Sequence, residues 1–277
     1  MNCHIVPMAY LRSWSTDETR DKKRDQRETY VFINGENQTK RMYLKDIDTI
    51  AQEDLYIYKK GENQYLDLFW QNSHEQIEQH LGTYEQNWQT YIHRIETARK
   101  KKAEIIEIAP ILHFLTLQLL RTPEYMDKAI NDILHTTDSE LIEAQKMCLL
   151  LDMNDKDSVF QKMNKQFKDN YKKFIFSAQG SRYFITSDFP AYAIKDNAPH
   201  RGIYFPLSKD YCLFLMEQGN CNKNSAKICN VDDDIVDLVN YFTAYADKNL
   251  MIGCTAEFSE WEIKEYPKSF EKVIGVK

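Results

Sequence analysis

The chain has 277 residues, of which 43% are hydrophobic and 28% are charged, and its formal net charge at pH 7 is −6. This composition is typical of a soluble globular protein, and no apolar run approaches the roughly 18 residues that a membrane span requires. The acidic balance disfavours a general electrostatic grip on nucleic acid, although it does not exclude a local basic groove. Two basic segments, residues 20–27 and 98–102, could form one, but such segments are usually solvated faces.

The organisation of the chain points to a compact intracellular protein. The first residues lack the basic region and apolar stretch of a secretory signal, so we expect a cytoplasmic location. Six cysteines are scattered without a C-x-x-C pair, which predicts reduced thiols rather than a zinc ribbon or a redox motif. Glycine and proline are sparse and no Ser/Gly/Pro-rich linker divides the chain, so residues 1–277 are expected to form a single domain.

The first half of the chain changes from strand to helix patterning. ETYVFING and EDLYIYKKGEN combine β-branched and aromatic residues with a closing turn signal, which predicts a small antiparallel sheet. From His74 apolar residues recur at steps of three and four, as in an amphipathic helix that Ser73 would cap. The next helix, AEIIEIAPILHFLTLQLLR, is apolar on nearly all sides. It is predicted to be buried, kinked at Pro110 and ended by Thr122-Pro123.

The second half predicts more helices and then strands. Helices are expected at residues 124–135, 139–151 and 157–173. Short strands follow at KFIFSAQG, SRYFITSD, AYAIKDN, RGIYFPLS and YCLFLM, before a helix over residues 231–247 and a final strand EWEIKEY. The whole pattern predicts an α+β fold in which a central helical bundle packs against a mostly antiparallel sheet of N- and C-terminal strands.

Four stretches carry polar residues where apolar ones would serve folding better, and no strong catalytic fingerprint accompanies them. In HIVPMAYLRSW, apolar and aromatic anchors that include Tyr10 would hold His4 in a fixed place, where it could act as an acid or a base. The alternative is that His4 only hydrogen-bonds a backbone carbonyl. In LQLLRTP, Gln118 and Arg121 share one face of the apolar helix. A buried arginine needs a partner, which is either a protein carboxylate or a substrate anion.

The other two stretches supply hydroxyls and carboxylates. YFITSDFP places Thr186, Ser187 and Asp188 at the end of a strand, where sites often form, although such residues are also ordinary turn formers. EQIEQHLGTYE places Glu78 and Glu85 seven residues apart on one helix face. They could pair with an arginine or bind a divalent metal, and simple solvent exposure is the alternative.

These four stretches, in this order, resemble the bacterial family called domain of unknown function 4238. The family pattern is His-x-Val-Pro-x-x-Tyr-Leu, a helix with spaced glutamates, Gln-x-x-Arg-Thr-Pro, and Phe-x-Thr-Ser-Asp-x-Pro followed by Pro-Leu-Ser. The matching positions here are His4 to Leu11, Glu78 and Glu85, Gln118 to Pro123, Phe184 to Pro190, Pro206 to Ser208, and a C-terminal helix with Asn240. The resemblance implies that the stretches form one unit, but the family name implies no activity.

Two functions from different classes fit these residues. The first is a phosphodiester-cleaving enzyme of the nuclease type used in toxins or phage defence, with a nucleic acid as its partner. Its catalytic residues would be His4, Arg121, Asp188 and Gln118, and its substrate-binding residues Tyr10, Thr186, Ser187, Glu78 and Glu85. No residue is assigned as a resident metal ligand, but Glu78, Glu85 and Asp188 would hold a divalent metal cofactor if the reaction needs one.

The second function is a non-catalytic binding module that recognises a small anionic ligand or a protein partner. Aromatic residues make up 13% of the chain, which suits a recognition surface as well as a core. A third interpretation assigns no function to the polar residues. It makes them a buried structural network that fixes helix against sheet.

Overall fold

The computed structural model describes residues 2–4, 6–47, 51–53, 61, 63–65, 81–122, 125–127, 130, 137–151, 155–194, 201–219, 221, 223–245, 249–258 and 267–275. Its helices are α1 (Met8–Leu11), α2 (Trp88–Lys100), α3 (Ala109–Arg121), α4 (Ser139–Leu151), α5 (Val159–Asn170), α6 (Asp233–Tyr245) and α7 (Lys268–Ile274). Its strands are β1 (Asn2–His4), β2 (Glu28–Ile33), β3 (Gln38–Tyr43), β4 (Ala51–Glu53), β5 (Ile105–Glu107), β6 (Tyr171–Ala178), β7 (Thr186–Ser187), β8 (Tyr192–Ile194), β9 (Gly202–Ser208), β10 (Tyr211–Glu217), β11 (Ser225–Val231) and β12 (Leu250–Gly253). The α+β class predicted from the sequence is confirmed.

The strands form two larger sheets and one separate pair. The six-stranded sheet has the order β5-β11-β6-β10-β9-β8, the four-stranded sheet has the order β3-β2-β12-β7, and β1 pairs with β4. The pairing is antiparallel except between β11 and β6, which run parallel. In the four-stranded sheet the hairpin of β2 and β3 pairs with β12, so segments from the first and last parts of the chain contribute to one sheet.

The six-stranded sheet is covered on both faces, and the alternation of side chains along β10 shows why. Leu213 and Leu215 belong to a core shared with the N-terminal segment, α2 and α3, whereas Cys212 and Phe214 belong to a second core with α6 and α7. A strand buried on both faces needs apolar residues at every position, which explains the unbroken run YCLFLM. A third apolar cluster joins α3, α4 and α5.

Pro110 lies at the beginning of α3, not inside a longer helix. Residues 105–107 form strand β5, and the helix starts at Ala109, so the predicted kink at Pro110 is wrong. A proline in the first helical turn costs no hydrogen bond, because the N–H it lacks has no partner inside the helix. The predicted helix end is confirmed, since Thr122 leaves the helix with an extended backbone.

Other boundaries differ in the C-terminal half. SRYFITSD forms only the two-residue strand β7, because residues 182–185 are bonded by loop and side-chain contacts instead of a ladder. Strands β11 and β12 and helix α7 were not predicted. Ser73, His74, Glu78 and the predicted strand EWEIKEY lie outside the described residues. In the described part of the chain, none of the helices combines the length and apolar character needed to cross a membrane.

Candidate functional site

The N-terminal motif is held against the start of β7 and the middle of β9. The Tyr10 hydroxyl donates to the carbonyl of Pro206 at 2.7 Å and lies 2.8 Å from the Thr186 hydroxyl. The indole N–H of Trp14 donates to the carbonyl of Phe184 at 2.9 Å. Both aromatic side chains are fully buried. Three of the stretches that carry the family pattern therefore meet here. The backbone of His4 lies in β1, while its side chain is outside the described part of the structure.

Asn240 on α6 connects the C-terminal helix to the same region. Its side-chain oxygen accepts from the N–H of Ile185 at 3.0 Å, and its amide nitrogen donates to the carbonyl of Tyr183 at 2.8 Å. Residues 183–185 have no strand partner, so Asn240 replaces the ladder that a longer β7 would have provided. Asn240 thus has a structural role, because it connects α6 to the backbone of residues 183–185.

Asp188 and Ser187 also bind protein groups. Asn249 donates to the Asp188 carboxylate from its backbone at 3.3 Å and from its side chain at 3.2 Å. The Ser187 hydroxyl closes a local turn, because it donates to the carbonyl of Phe189 and accepts from the N–H of the same residue. These contacts match the turn-forming alternative for this stretch.

Arg121 forms an ion pair with Glu85, which unites the second and fourth stretches. The arginine is 1% exposed, and the glutamate side chain retains 24% of its accessible surface. Gln118 is also buried, and its backbone carbonyl accepts from the Thr122 hydroxyl at 3.1 Å. The sequence left open whether the partner of Arg121 is a protein carboxylate or a substrate anion, and here it is a protein carboxylate.

The described candidate residues therefore form two groups. Tyr10 with Thr186 forms the first, and Arg121 with Glu85 forms the second, while Asp188 is bonded to Asn249. The ring of Tyr10 stacks on Phe114 at 5.9 Å, and Arg121 is seven residues further along the same helix, about 10 Å along its axis. Among the described residues no group of three or more His, Cys, Asp or Glu side chains could hold a metal ion.

A cleft of about 690 Å³ opens elsewhere, between the start of α3 and the polar side of α5. Its walls include Leu112 and His113 from α3, and Gln161, Asn164, Lys165 and Lys168 from α5. Burial lowers the pKa of His113, so the imidazole is neutral at pH 7 and can both donate and accept a hydrogen bond. The cleft therefore combines amide, imidazole and ammonium groups with a small apolar wall.

The charges around this cleft are predominantly positive. Lys165 pairs with Asp169 at 2.5 Å, and this hydrogen bond lowers the pKa of the Asp169 carboxyl. Lys168 lines the same cleft, and no carboxylate among the described residues forms an ion pair with it. The buried ammonium of Lys173 lies below, where it donates to the carbonyls of Lys168 and Tyr171 at 2.9 and 2.5 Å. Three lysines thus surround one carboxylate.

Sequence reasoning missed this cleft, although α5 carries a signal of it. Gln161, Asn164, Lys165 and Lys168 recur at steps of three, one and three, which places them on one side of a helix. Asn164 is the informative member, because it is buried and its side chain bonds Thr116 at 3.1 Å and the carbonyl of Phe160 at 3.0 Å. An asparagine at the border of an apolar face is the pattern that could have predicted a polar cleft.

These observations define an α+β protein whose described motif residues are bonded to other protein groups, with a separate polar cleft between α3 and α5. A family model described as "Protein of unknown function (DUF4238)" matches residues 2–251, so the chain belongs to this family. The resemblance stated from the four stretches is confirmed. Comparison with curated proteins finds no match, and comparison with solved structures finds none either.

Proposed function

We propose that this protein is a binding module that recognises a small anionic ligand in the cleft between α3 and α5. The proposal rests on the excess of positive charge at this cleft, where the charges of Lys165, Lys168 and the buried Lys173 act on the single carboxylate of Asp169. An excess of ammonium groups over carboxylates at a cleft favours an anion there, because an ion pair then replaces part of the lost hydration.

The size and the other walls of the cleft narrow the class of ligand. Ligand pockets usually enclose roughly 300 to 1,000 Å³, and this cleft falls within that range. Gln161 and Asn224 offer amide groups, which can bind hydroxyls or a heterocycle, and Leu112 offers an apolar contact. A phosphate or carboxylate attached to a body with hydroxyl or ring groups therefore fits best.

The nuclease function remains a prediction. Two of its proposed catalytic residues, Asp188 and Arg121, are bonded to Asn249 and Glu85, and these contacts favour a structural role for both. A cleavage assay on RNA and DNA, with and without a divalent metal, tests it directly. If the protein cleaves RNA or DNA, and if Arg121→Lys, which keeps the positive charge, abolishes this cleavage, the nuclease function is favoured over the binding function.

Calorimetric titration tests the binding proposal. The probes are sodium pyrophosphate, citrate and adenosine monophosphate, each titrated into the full chain. We expect at least one to bind, and Lys168→Ala to weaken that binding by at least about tenfold, the usual scale for a charge-assisted contact. Lys162→Ala is the matched control, because Lys162 is an exposed lysine on the same helix that does not line the cleft. Failure of all three probes, or equal loss in both variants, would refute the proposal.

A further inference from the structure

The two basic segments that stand out in the sequence lie against each other in the fold. Residues 20–27 contain five lysines and arginines against two aspartates. Residues 93–102, which are the second segment with the preceding helical residues of α2, contain five against one glutamate. The chain as a whole is acidic, with a net charge of −6. The guanidinium of Arg20 lies 3.8 Å from the carboxylate of Glu96, in the second half of α2. This contact joins the two segments.

Asp210 gives a second link between them. Burial raises the pKa of Asp210, while the positive charges of Lys209, Arg20 and Arg99 act on the same carboxyl in the opposite direction. Arg20 belongs to the first basic segment and Arg99 to the second. One half-buried carboxyl is therefore within electrostatic reach of both, which fixes the two segments on the same side of the protein.

Helix α2 is hydrogen-bonded to other elements near both of its ends, and these contacts fix the position of its basic C-terminal end. Near its start, Gln89 donates to the carbonyl of Ala9 at 2.9 Å. Near its end, Arg99 donates to the side chain of Gln179 at 2.9 Å. Lys100 is four residues beyond Glu96 and so lies on the same helix face, one turn further from the contact with Arg20.

The exposed cations on these segments outnumber the acids that could neutralise them. Lys22, Lys23, Lys100, Lys101 and Lys102 are exposed, and in the part of the chain that the structure describes none of them forms an ion pair with a carboxylate. Two nearby acids are occupied elsewhere, because Asp17 pairs with Lys209 at 2.6 Å and Glu18 with Arg41 at 3.4 Å. The local surface is therefore positive within an acidic protein.

Lys102 adds an observation about the backbone. The end of α2 closes with hydrogen bonds from Lys102 N–H to the Arg99 carbonyl at 2.9 Å and from Ala103 N–H to the Ala98 carbonyl at 2.9 Å. This is the Schellman pattern, whose left-handed position usually holds glycine. Here that position is Lys102, with φ of 55°. A charged side chain therefore occupies a position that glycine would fill with less backbone strain.

We propose that the surface formed by residues 20–27 and 99–102, called the basic surface below, binds the phosphate backbone of a nucleic acid. Clustered lysines and arginines bind such a backbone by displacing condensed counterions. A membrane is the weaker candidate, because peripheral membrane binding also needs several apolar side chains. Among the described residues close to these lysines, Ile105 is the one large apolar side chain that is exposed.

The basic surface is separate from the ligand cleft between α3 and α5. Strand β11 begins next to Asn224, which lines the cleft, and ends at Val231, whose carbonyl accepts from Gln179, the partner of Arg99. Six residue steps along a strand span about 20 Å. Loss of one activity should therefore leave the other unchanged.

Fluorescence anisotropy with labelled single-stranded RNA and DNA of the same sequence, about 20 nucleotides long, tests the proposal. We expect the affinity to fall as the salt concentration rises. If five cations contact the strand, the logarithm of the association constant should fall with the logarithm of the salt concentration with a slope of about −3.5. Lys100→Glu with Lys101→Glu should weaken binding by at least about tenfold and make the slope shallower by about 1.4. The matched control is Lys162→Glu with Lys272→Glu, which changes the charge equally on α5 and α7 and should bind within about twofold of wild type.

Lys102→Gly provides a second test, which does not depend on whether the double variant folds. Glycine suits the left-handed position, so this variant should stay folded while its affinity falls by about threefold or more. Equal binding of RNA and DNA supports recognition of the phosphate backbone. A preference for one of them would show that the protein also distinguishes ribose from deoxyribose. The proposal is overturned if wild type binds neither oligonucleotide, if the control loses as much affinity as the double variant, or if anionic phosphatidylserine vesicles bind and the oligonucleotides do not.

Discussion

Replacing Lys102 by glycine should make the protein more stable, which is the opposite of what most glycine substitutions do. Lys102 has φ of 55° and follows the C-cap residue Lys101, whose φ is −80°. A side chain with a Cβ atom is disfavoured in the left-handed region because the Cβ approaches the following carbonyl oxygen. Glycine lacks that atom, so the substitution removes the strain without changing the hydrogen bonds that close the helix.

The expected gain is the difference between two terms. Relief of the left-handed conformation is worth about 1 to 2 kcal/mol, and the extra freedom that glycine gives the unfolded chain costs about 0.5 to 1 kcal/mol. A net gain of about 0 to 1.5 kcal/mol in the free energy of unfolding follows, with a midpoint of about 0.75 kcal/mol. For a protein of this size it raises Tm by roughly 1 to 4 °C.

Urea denaturation followed by circular dichroism measures this gain. Lys102→Ala separates the loss of the charge from the relief of strain, because alanine keeps the Cβ atom, and it should be no more stable than wild type. Lys101→Gly is the positional control and should lower stability, since Lys101 already has a right-handed backbone. If Lys102→Gly is no more stable than Lys102→Ala, the left-handed strain inferred at this position is wrong.

Three further outcomes follow from the buried contacts. Trp14→Phe should cost about 1 kcal/mol more than Trp88→Phe in urea denaturation: both indoles are fully buried, but only that of Trp88 has no hydrogen-bond partner among the described residues. Equal losses would contradict this. Arg121→Ala should destabilise the fold by about 3 kcal/mol because it breaks a largely buried ion pair, and normal stability with lost activity would favour a site instead. The backbone N–H of Arg182 donates to the Asp233 carboxylate, as do the backbone N–H and the hydroxyl of Ser181, and these hydrogen bonds lower the pKa of Asp233. Its carboxylate therefore stabilises the fold above about pH 4, the unfolded value, and loses that effect as the pH falls through the lowered folded pKa. The loss in Asp233→Ala should be complete at pH 7 and shrink in acid, and a pH-independent loss would refute the argument.

The parts of the fold that could be predicted from sequence are those set by local pattern. Strand β10 is an unbroken apolar run because it is buried on both faces, and α6 has periodic apolar positions because one of its faces is buried. Both elements were therefore predicted from local pattern. Pro110 misled the prediction because the residues before it, 105–107, are as apolar as the helix. Their strand character depends on pairing with β11, which is distant in sequence.

The candidate site shows the same division. The four stretches could be recognised as one unit, and Tyr10, Thr186 and Pro206 do meet. What the sequence could not give is the partner of each polar group, since a glutamate 36 residues away neutralises Arg121. The cleft was missed because its walls come from three separated segments, and no one of them is unusual by itself.

The binding cleft is tested most directly by nuclear magnetic resonance, with sodium pyrophosphate titrated into isotopically labelled protein. We expect saturable shifts of the amide signals of His113, Asn164 and Asn224, and loss of these shifts in Lys168→Ala. Shifts confined to residues 99–102, or none that saturate, would contradict the claim that this cleft recognises small anions.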